Sequence, residues 1–320
     1  MRCSGTGLLL ALMVAVMAAL PAVAADDDPL AEGRERQLNG HGFLPSIYVD
    51  DPFVASNFTN HTGAGMAMDL EATFKNLEGN DLYTLTGDLL FATLGLGYQQ
   101  KLGSKWAVGA HLAGLVKSGT NAESFLTEGA DVDRNVSLWI KYRLRRTDKS
   151  QLSVGVNWNY SKTLFFTPYD FAQDIANDVP VEDADILINS KVWTSRIAIN
   201  WARGFSPAFG LRVNAEFGLY EVPETSGVSK GSHRLGILGE YDLNHTRAGF
   251  PLGFTLGYTL ALPNDDPFAG LSGTLLGLWY TGKTEFVVGV EGGLMTLPVA
   301  NRDVDEVDAL FGIITVKYYF

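Results

Sequence analysis

The stretch LFGIITVKYYF, residues 310–320, decides the fold because its apolar side chains recur at alternate positions. Lys317 and Thr315 occupy intervening positions, and Gly312 is the one gap in the apolar row. A period of two is typical of a β-strand whose two faces meet different surroundings. The apolar row comprises Leu310, Ile314, Val316, Tyr318 and Phe320. The chain therefore ends in a strand with one apolar face.

The same alternation occurs in eleven earlier segments, so the sequence predicts about twelve strands, with ten or fourteen as the alternatives. In residues 250–260, for example, Phe254 and Leu256 alternate with Thr255. The weakest of the twelve segments, at 270–281, has mixed parity. After the N-terminus, no segment offers a run of about 18 apolar residues, which a spanning helix needs. The predicted fold is therefore all-β, a closed antiparallel transmembrane β-barrel.

The links between the predicted strands alternate between short and long, which is typical of barrels with tight turns at one end and larger loops at the other. The short links fall near 103–104, 146–150, 203–208, 244–249 and 282–283, and the long ones span 76–88, 118–133, 164–190, 221–231, 263–269 and 297–308. A secreted β-sandwich is the alternative, because its strands also alternate. A sandwich does not require this regularity, nor the Trp and Tyr residues at the strand ends, so a membrane barrel is favoured.

The last strand resembles the C-terminal signal of Gram-negative outer-membrane β-barrels, and Phe320, Tyr318 and Val316 carry the resemblance. The resemblance covers residues 63–320 and lies in the architecture and the terminal strand, without a family-specific motif. It implies localisation in the cell outer membrane, contact with outer-membrane lipid and lipopolysaccharide, and insertion by the barrel-assembly machinery. Twelve-stranded members include channels for small solutes, which makes a channel the leading hypothesis.

The residues ahead of the barrel divide into two predicted segments. Residues 1–24 have the features of a cleaved signal peptide for export, with Arg2 before an apolar run and small residues at its end. Since Cys3 is the only cysteine, the mature chain is expected to lack disulfides and Cys-ligated metals. Residues 25–62 are predicted to form a periplasmic N-terminal arm or a lumen plug, with the arm favoured, and residues 63–320 form the barrel.

If the apolar residues of each strand face lipid, the residues that alternate with them line the lumen. Its charges are nearly balanced, with bases on the fourth, sixth and seventh predicted strands facing acids on the first, eighth and eleventh. The candidate pore-lining residues are Lys141, Arg143, Arg145, Arg196, Arg212, Arg234, Asp69, Glu71, Glu216, Glu240 and Glu291. Twelve strands enclose more space than side chains fill. The predicted function is a passive channel for small polar or anionic solutes. A plugged structural or surface-interaction barrel is the alternative, and an interfacial lipid-modifying enzyme is the second.

Other chemistries are less well supported. The formal charge of −12 disfavours a nucleic-acid partner. Acidic residues in the 164–190 and 297–308 links offer oxygen ligands for a divalent cation, but solvated surface charge is favoured, and no cofactor is expected. Ser232 and His233 are adjacent, so on a strand they point to opposite faces and form no nucleophile–base pair. We therefore predict no catalytic residues.

Deletion of Phe320 is predicted to reduce the yield of barrel in the outer membrane, because the terminal aromatic belongs to the assembly signal. The measurement is the amount of heat-modifiable, folded protein in outer-membrane fractions. Accumulation of the truncated chain at the wild-type level would contradict this interpretation.

Overall fold

The strands of the chain form one closed barrel preceded by a small hairpin. A computed structural model describes residues 35–75, 81–121, 125, 129–166, 168, 187–221, 229–247, 249–262, 272–298 and 306–320. The hairpin consists of β1 (Gln37–Leu38) and β2 (His41–Gly42). The barrel strands are β3 (Asn57–Lys75), β4 (Asp81–Leu102), β5 (Trp106–Gly119), β6 (Ala130–Arg146), β7 (Ser150–Phe166), β8 (Leu187–Ser206), β9 (Phe209–Glu221), β10 (Ser229–Asp242), β11 (Leu252–Leu262), β12 (Ser272–Tyr280), β13 (Phe286–Pro298) and β14 (Glu306–Tyr319).

The barrel is an antiparallel meander in which each strand pairs with its sequence neighbour, and β14 returns to pair with β3. Tyr318 lies opposite Phe58 and Ile314 opposite Thr62 in this closing ladder. Phe320 extends the contact, since its backbone N–H donates to the carbonyl of Ser56 at 3.2 Å. The predicted closed, twelve-stranded, all-β architecture is confirmed.

The two faces of the barrel wall have opposite character. On β11, Leu256 is 60% exposed on the outer face, whereas the adjacent Thr255 is 3% exposed on the inner face. The same contrast recurs around the wall, with apolar side chains outside and buried Arg, Lys, Glu, Asn and Thr inside. A protein dissolved in water shows the reverse distribution. The outer face is therefore suited to hydrocarbon, as the alternation in the sequence predicts.

One end of the barrel carries the tight connections, which we name the short-turn end. Its connections are residues 103–105, 147–149, 207–208, 243–251 and 281–285. Five of the six links at the opposite end are shorter than predicted because the strands continue further, and the link between β11 and β12, residues 263–271, is slightly longer. For example, β4 begins at Asp81, so the link after β3 spans 76–80 rather than 76–88. In residues 81–88 polar and apolar residues occur at both alternating positions, so an alternation pattern no longer marks a strand there.

The strand bounds change one predicted boundary. The first barrel strand begins at Asn57 and not at residue 63, so part of the predicted arm belongs to the wall. The predicted signal peptide, residues 1–24, lies outside the described residues.

A bulge between Arg143 and Arg145 changes which arginine faces the lumen. Arg143 lies opposite Ser153, but after the bulge Arg145 lies opposite Leu152 and Arg146 opposite Gln151. Directly paired residues point to the same face of a sheet, and a bulge inserts one residue on one strand. Arg145 therefore lies on the outer face, and its assignment to the lumen was wrong.

A 3₁₀ turn at Leu243–His245 connects β10 to β11. Asp242 caps it, because its carboxylate accepts a hydrogen bond from the backbone N–H of Asn244 at 2.9 Å. In the part of the chain that the structure describes, no helix is long and apolar enough to cross a membrane.

Arginine substitutions at neighbouring positions of β6 test the orientation of the wall. Leu138 lies opposite Trp158 on the outer face, and Ser137 lies opposite Asn159 on the inner face at the same depth. We expect Leu138→Arg to lower the free energy of unfolding in lipid vesicles by about 2–4 kcal/mol. Ser137→Arg is the matched control and should cost much less, because its side chain reaches the lumen. Equal costs in urea titrations would contradict a lipid-facing outer surface.

Candidate functional site in the barrel lumen

Residues 35–56 lie inside the barrel, from its short-turn end to about its middle, and we name them the lumen segment. The segment starts with the β1–β2 hairpin, whose turn residues Asn39 and Gly40 have positive φ angles of 52° and 80°. The Asn39 side chain donates to the carbonyl of Phe205 at 2.9 Å, which ties the hairpin to the short-turn end of β8. The Asn-Gly pair is a strong hairpin signal that the sequence analysis missed.

Arg212 and Glu240 bind the lumen segment at Leu44, which precedes the apex of the segment. Arg212 donates to a Glu240 carboxylate oxygen at 2.5 Å and to the carbonyl of Leu44 at 2.5 Å. The other Glu240 oxygen accepts from the backbone N–H of Leu44 at 2.6 Å. The side chains of Arg212 and Glu240 are 1% and 0% exposed. Together they satisfy both backbone groups of Leu44, as a neighbouring strand would.

The apex of the lumen segment, residues 46–49, is held by further wall residues. Glu291 accepts hydrogen bonds from the hydroxyl of Ser46 at 2.7 Å and from the N–H of Ile47 at 3.2 Å. Arg234 donates to the carbonyl of Tyr48. Burial raises the pKa of Tyr48, and the charge of Glu291 raises it further, so its hydroxyl stays protonated at neutral pH.

The part of the segment that follows the apex is anchored by amide and lysine side chains of the wall. Gln151 donates to the carbonyl of Pro52 at 2.5 Å, and Gln99 donates to that of Ala55 at 2.8 Å. Lys141 donates to the backbone carbonyl of Asp51 at 2.6 Å. These contacts fix the chain until it enters β3, so the segment is bonded to the wall along its whole length.

The carboxylate of Asp51 lies between two ammonium groups. Lys141 Nζ is 3.4 Å from one carboxylate oxygen and Lys317 Nζ is 3.6 Å from the other. Burial alone would raise the pKa of Asp51, but Lys141 and Lys317 outweigh it and hold the pKa well below its ordinary range. The ionised carboxylate therefore stabilises the docked segment above the ordinary pKa of an Asp. This contribution is lost only as the pH falls through the lowered value.

Apolar contacts complete the docking, and all of them lie on the inner face of the wall. Val49 packs in a cluster with Leu238, Leu275, Met295, Phe311 and Ile313. Leu44 packs with Trp279, Val287 and Tyr319, and Phe43 and Phe53 pack with Leu38 and Ala202. Apolar side chains on the lumen parity were the available sequence signal for a docked segment. They also explain the mixed parity of 270–281, since Leu275 and Trp279 on β12 face inward.

The side of the barrel formed by β5–β7 is more exposed to the lumen than the side formed by β10 and β12–β14, which the segment covers. Its inner side chains His111, Ser137, Asn157 and Asn159 are half-exposed, and Asp50 on the segment is exposed. In contrast, Leu238, Leu275 and Trp279 on the covered wall are each 0% exposed. The lumen therefore has a covered apolar side and a polar side with accessible surface.

The predicted pore-lining residues fall into three groups. Lys141, Arg196, Arg212, Arg234, Glu216, Glu240 and Glu291 lie on the inner face, and all but Arg234 are buried. Arg143 also has inner parity, whereas Arg145 is outside. The side chains of Asp69 and Glu71 lie outside the described residues. Sequence reasoning missed Arg146, which donates to the carbonyls of Glu35 and Gln37 at 2.6 and 3.0 Å.

The charges are paired between adjacent strands rather than separated into opposing walls. Arg212 on β9 pairs with Glu240 on β10, and Arg196 on β8 lies 3.9 Å from Glu216 on β9. Arg196 also donates to the hydroxyl of Ser232 at 2.8 Å. The expected basic wall facing an acidic wall is therefore wrong for these residues. Neighbouring charges neutralise each other at a lower electrostatic cost than separated walls would impose.

The chain forms a closed twelve-stranded barrel whose outer face suits a membrane. This follows from the closed ladder, the apolar outer face and the polar inner face. Within the described ranges, no three His, Cys, Asp or Glu residues come together as metal ligands. Ser232 is buried on the inner face and His233 is exposed on the outer face, so they point to opposite sides as predicted.

No family model matches this sequence, and neither does any curated protein. Similar solved structures include an outer membrane channel from Pseudomonas putida F1, with 14% identity and a TM-score of 0.49, covering 87% of this chain and 100% of that one. The translocator domain of the autotransporter NalP from Neisseria meningitidis has 12% identity and a TM-score of 0.46, covering 85% and 91%. A Pseudomonas aeruginosa FadL homologue has 11% identity and a TM-score of 0.45, covering 90% and 96%.

Glu240→Gln is predicted to loosen the lumen segment, because it leaves the buried Arg212 without its anion. Breaking such a pair costs about 3–5 kcal/mol. In a chain with Cys3→Ser and Val49→Cys, the buried thiol reports undocking. We expect Glu240→Gln to raise the rate of maleimide labelling at position 49 by more than about a hundredfold.

The matched control is Glu285→Gln, at an exposed position of a short turn. It removes the same charge without touching the segment and should leave the labelling rate unchanged. Equal rates in the two variants would show that the Arg212–Glu240 pair does not hold the segment.

Proposed function

We propose that this barrel is a passive outer-membrane channel for small polar or anionic solutes, and that the solute path runs between the lumen segment and the polar wall of β5–β7. The observation that carries the proposal is the difference in exposure between the two sides of the lumen. The apolar wall is fully covered, whereas His111, Ser137, Asn157 and Asn159 keep accessible surface. A barrel filled only for stability has no physical reason to leave one polar side uncovered.

The chemistry along this path suits polar solutes. Amide, hydroxyl and imidazole groups replace part of the hydration of a solute without demanding one sign of charge. Lys141 lies further towards the short-turn end on the same wall, and its charge is paired there with the carboxylate of Asp51. We place the protein in the Gram-negative outer membrane, exported with a cleaved signal peptide and inserted by the barrel-assembly machinery, with lipopolysaccharide outside it.

The plugged structural barrel is the second candidate, and the lumen segment is the observation that favours it. The segment is held by buried ion pairs and three apolar clusters, so it narrows the lumen strongly. The two functions differ in one measurable property, because a path beside the segment conducts ions and a complete plug does not.

Single-channel recording in planar bilayers tests the proposal through Asn159, a half-exposed lumen residue opposite Thr194. The wild-type chain should give discrete conductance steps. We expect Asn159→Asp to shift the reversal potential in a salt gradient towards cation preference, and Asn159→Lys towards anion preference. Both shifts should shrink at high salt, because the Debye length is about 10 Å at 0.1 M and about 3 Å at 1 M.

The matched controls are Asn244→Asp and Asn244→Lys, at an exposed position of the 3₁₀ turn. They change the charge of the protein equally but lie outside the proposed path, so the reversal potential should stay at the wild-type value. A chain that gives no conductance steps would refute the channel and favour the plugged barrel.

A further inference from the structure

Lys141 and Lys317 form an anion clamp built by the wall of the barrel. They belong to β6 and β14, with β3, β4 and β5 between these strands in the wall. Their side chains are 9% and 13% exposed, and each ammonium faces a different oxygen of the same carboxylate. Lys317 Nζ also lies 5.2 Å from the ring centroid of Tyr319. Two ammonium groups converge in a poorly hydrated site, so they need an anion between them.

The anion in the clamp comes from the lumen segment and not from the wall. Asp51 follows the apex of the segment, and its carboxylate accepts a hydrogen bond from the N–H of Phe53 at 3.0 Å. That bond helps to orient the carboxylate, whose two oxygens face the two lysines. The neighbouring Asp50 is exposed and lies outside the clamp. The wall thus supplies the cations, and a separate, non-strand segment supplies the charge that they bind.

We propose that Lys141 and Lys317 form a binding site for the carboxylate of a small organic anion, and that Asp51 occupies this site in the docked state. A solute carboxylate and the Asp51 carboxylate offer the same two oxygens, so they compete for the clamp. Binding of the solute therefore releases the Asp51 contact of the lumen segment. The proposal rests on the proposed channel only for the supply of the solute, since the binding equilibrium itself needs no conduction.

The competition makes the apparent affinity of the site depend on Asp51. When an internal competitor occupies a site, the apparent affinity for an external ligand equals the intrinsic affinity multiplied by the fraction of sites that are vacant. Asp51→Asn keeps the size of the side chain and its acceptor for the N–H of Phe53, but removes the charge. The lysines then lack their anion, and an added carboxylate has no charged competitor, while Lys141 keeps its hydrogen bond to the backbone carbonyl of residue 51.

The test is isothermal titration of the full-length chain in detergent at low salt, with succinate as the probe. We expect Asp51→Asn to bind succinate at least about tenfold more tightly than the wild-type chain. Adding Lys141→Met to Asp51→Asn should abolish this gain. The matched control is Asp50→Asn, which makes the same change one residue earlier and should bind as the wild-type chain does.

Three results would overturn the proposal: equal affinities in the Asp51→Asn and Asp50→Asn chains, an unchanged affinity after Lys141→Met, or equally tight binding of inorganic phosphate. A second measurement uses the chain with Asp51 intact, Cys3→Ser and Val49→Cys. Saturating succinate should accelerate maleimide labelling at position 49, and an unchanged rate would also overturn the proposal. If the chain binds succinate as expected but gives no conductance, only the channel is refuted. If it conducts but its succinate binding does not depend on Asp51, only the clamp is refuted.

Discussion

The structure depends on one constraint, which is that no backbone N–H or C=O group can remain unpaired in hydrocarbon. The ladder between β14 and β3 meets this constraint, because it removes the two free edges that an open sheet of twelve strands would present. Once the wall is closed, each strand has a lipid side and a lumen side. The division of side chains between these sides then follows from the pleat of the strand.

Closure of the barrel also leaves apolar side chains facing the lumen, and the lumen segment covers them. The inner faces of β10 and β12–β14 carry Leu238, Leu275, Trp279, Met295 and Phe311, which an empty lumen would expose to water. The segment covers them with Val49, Ile47 and Leu44. Its backbone cannot pair in a regular ladder at the lumen centre, so Arg212, Glu240, Glu291 and Gln99 from the wall satisfy its polar groups. The buried charges of the wall therefore act largely as backbone partners for the segment.

The architecture was predictable from the sequence because period-two alternation is a local property of each strand. The strand count, the closure and the outer face of Leu256 all followed from it. The parity argument failed at Arg145, because a bulge is set by the paired strand and leaves no mark on one strand read alone. It also did not show whether the inner residues line an open pore or contact a segment that fills the lumen. Arg212 has the same parity whether it faces water or the carbonyl of Leu44, and only the three-dimensional path of residues 35–56 distinguishes the two.

The lumen segment runs directly from Ser56 into Asn57, the first residue of the barrel wall. This covalent continuity means that the segment cannot be lost by dilution, and its local concentration inside the lumen is fixed by the tether. Short tethers give effective concentrations on the order of millimolar. A ligand that bound the same wall groups would therefore compete with an internal group whose concentration the cell cannot lower. The occupancy of the lumen by this segment is consequently independent of how much protein the membrane contains.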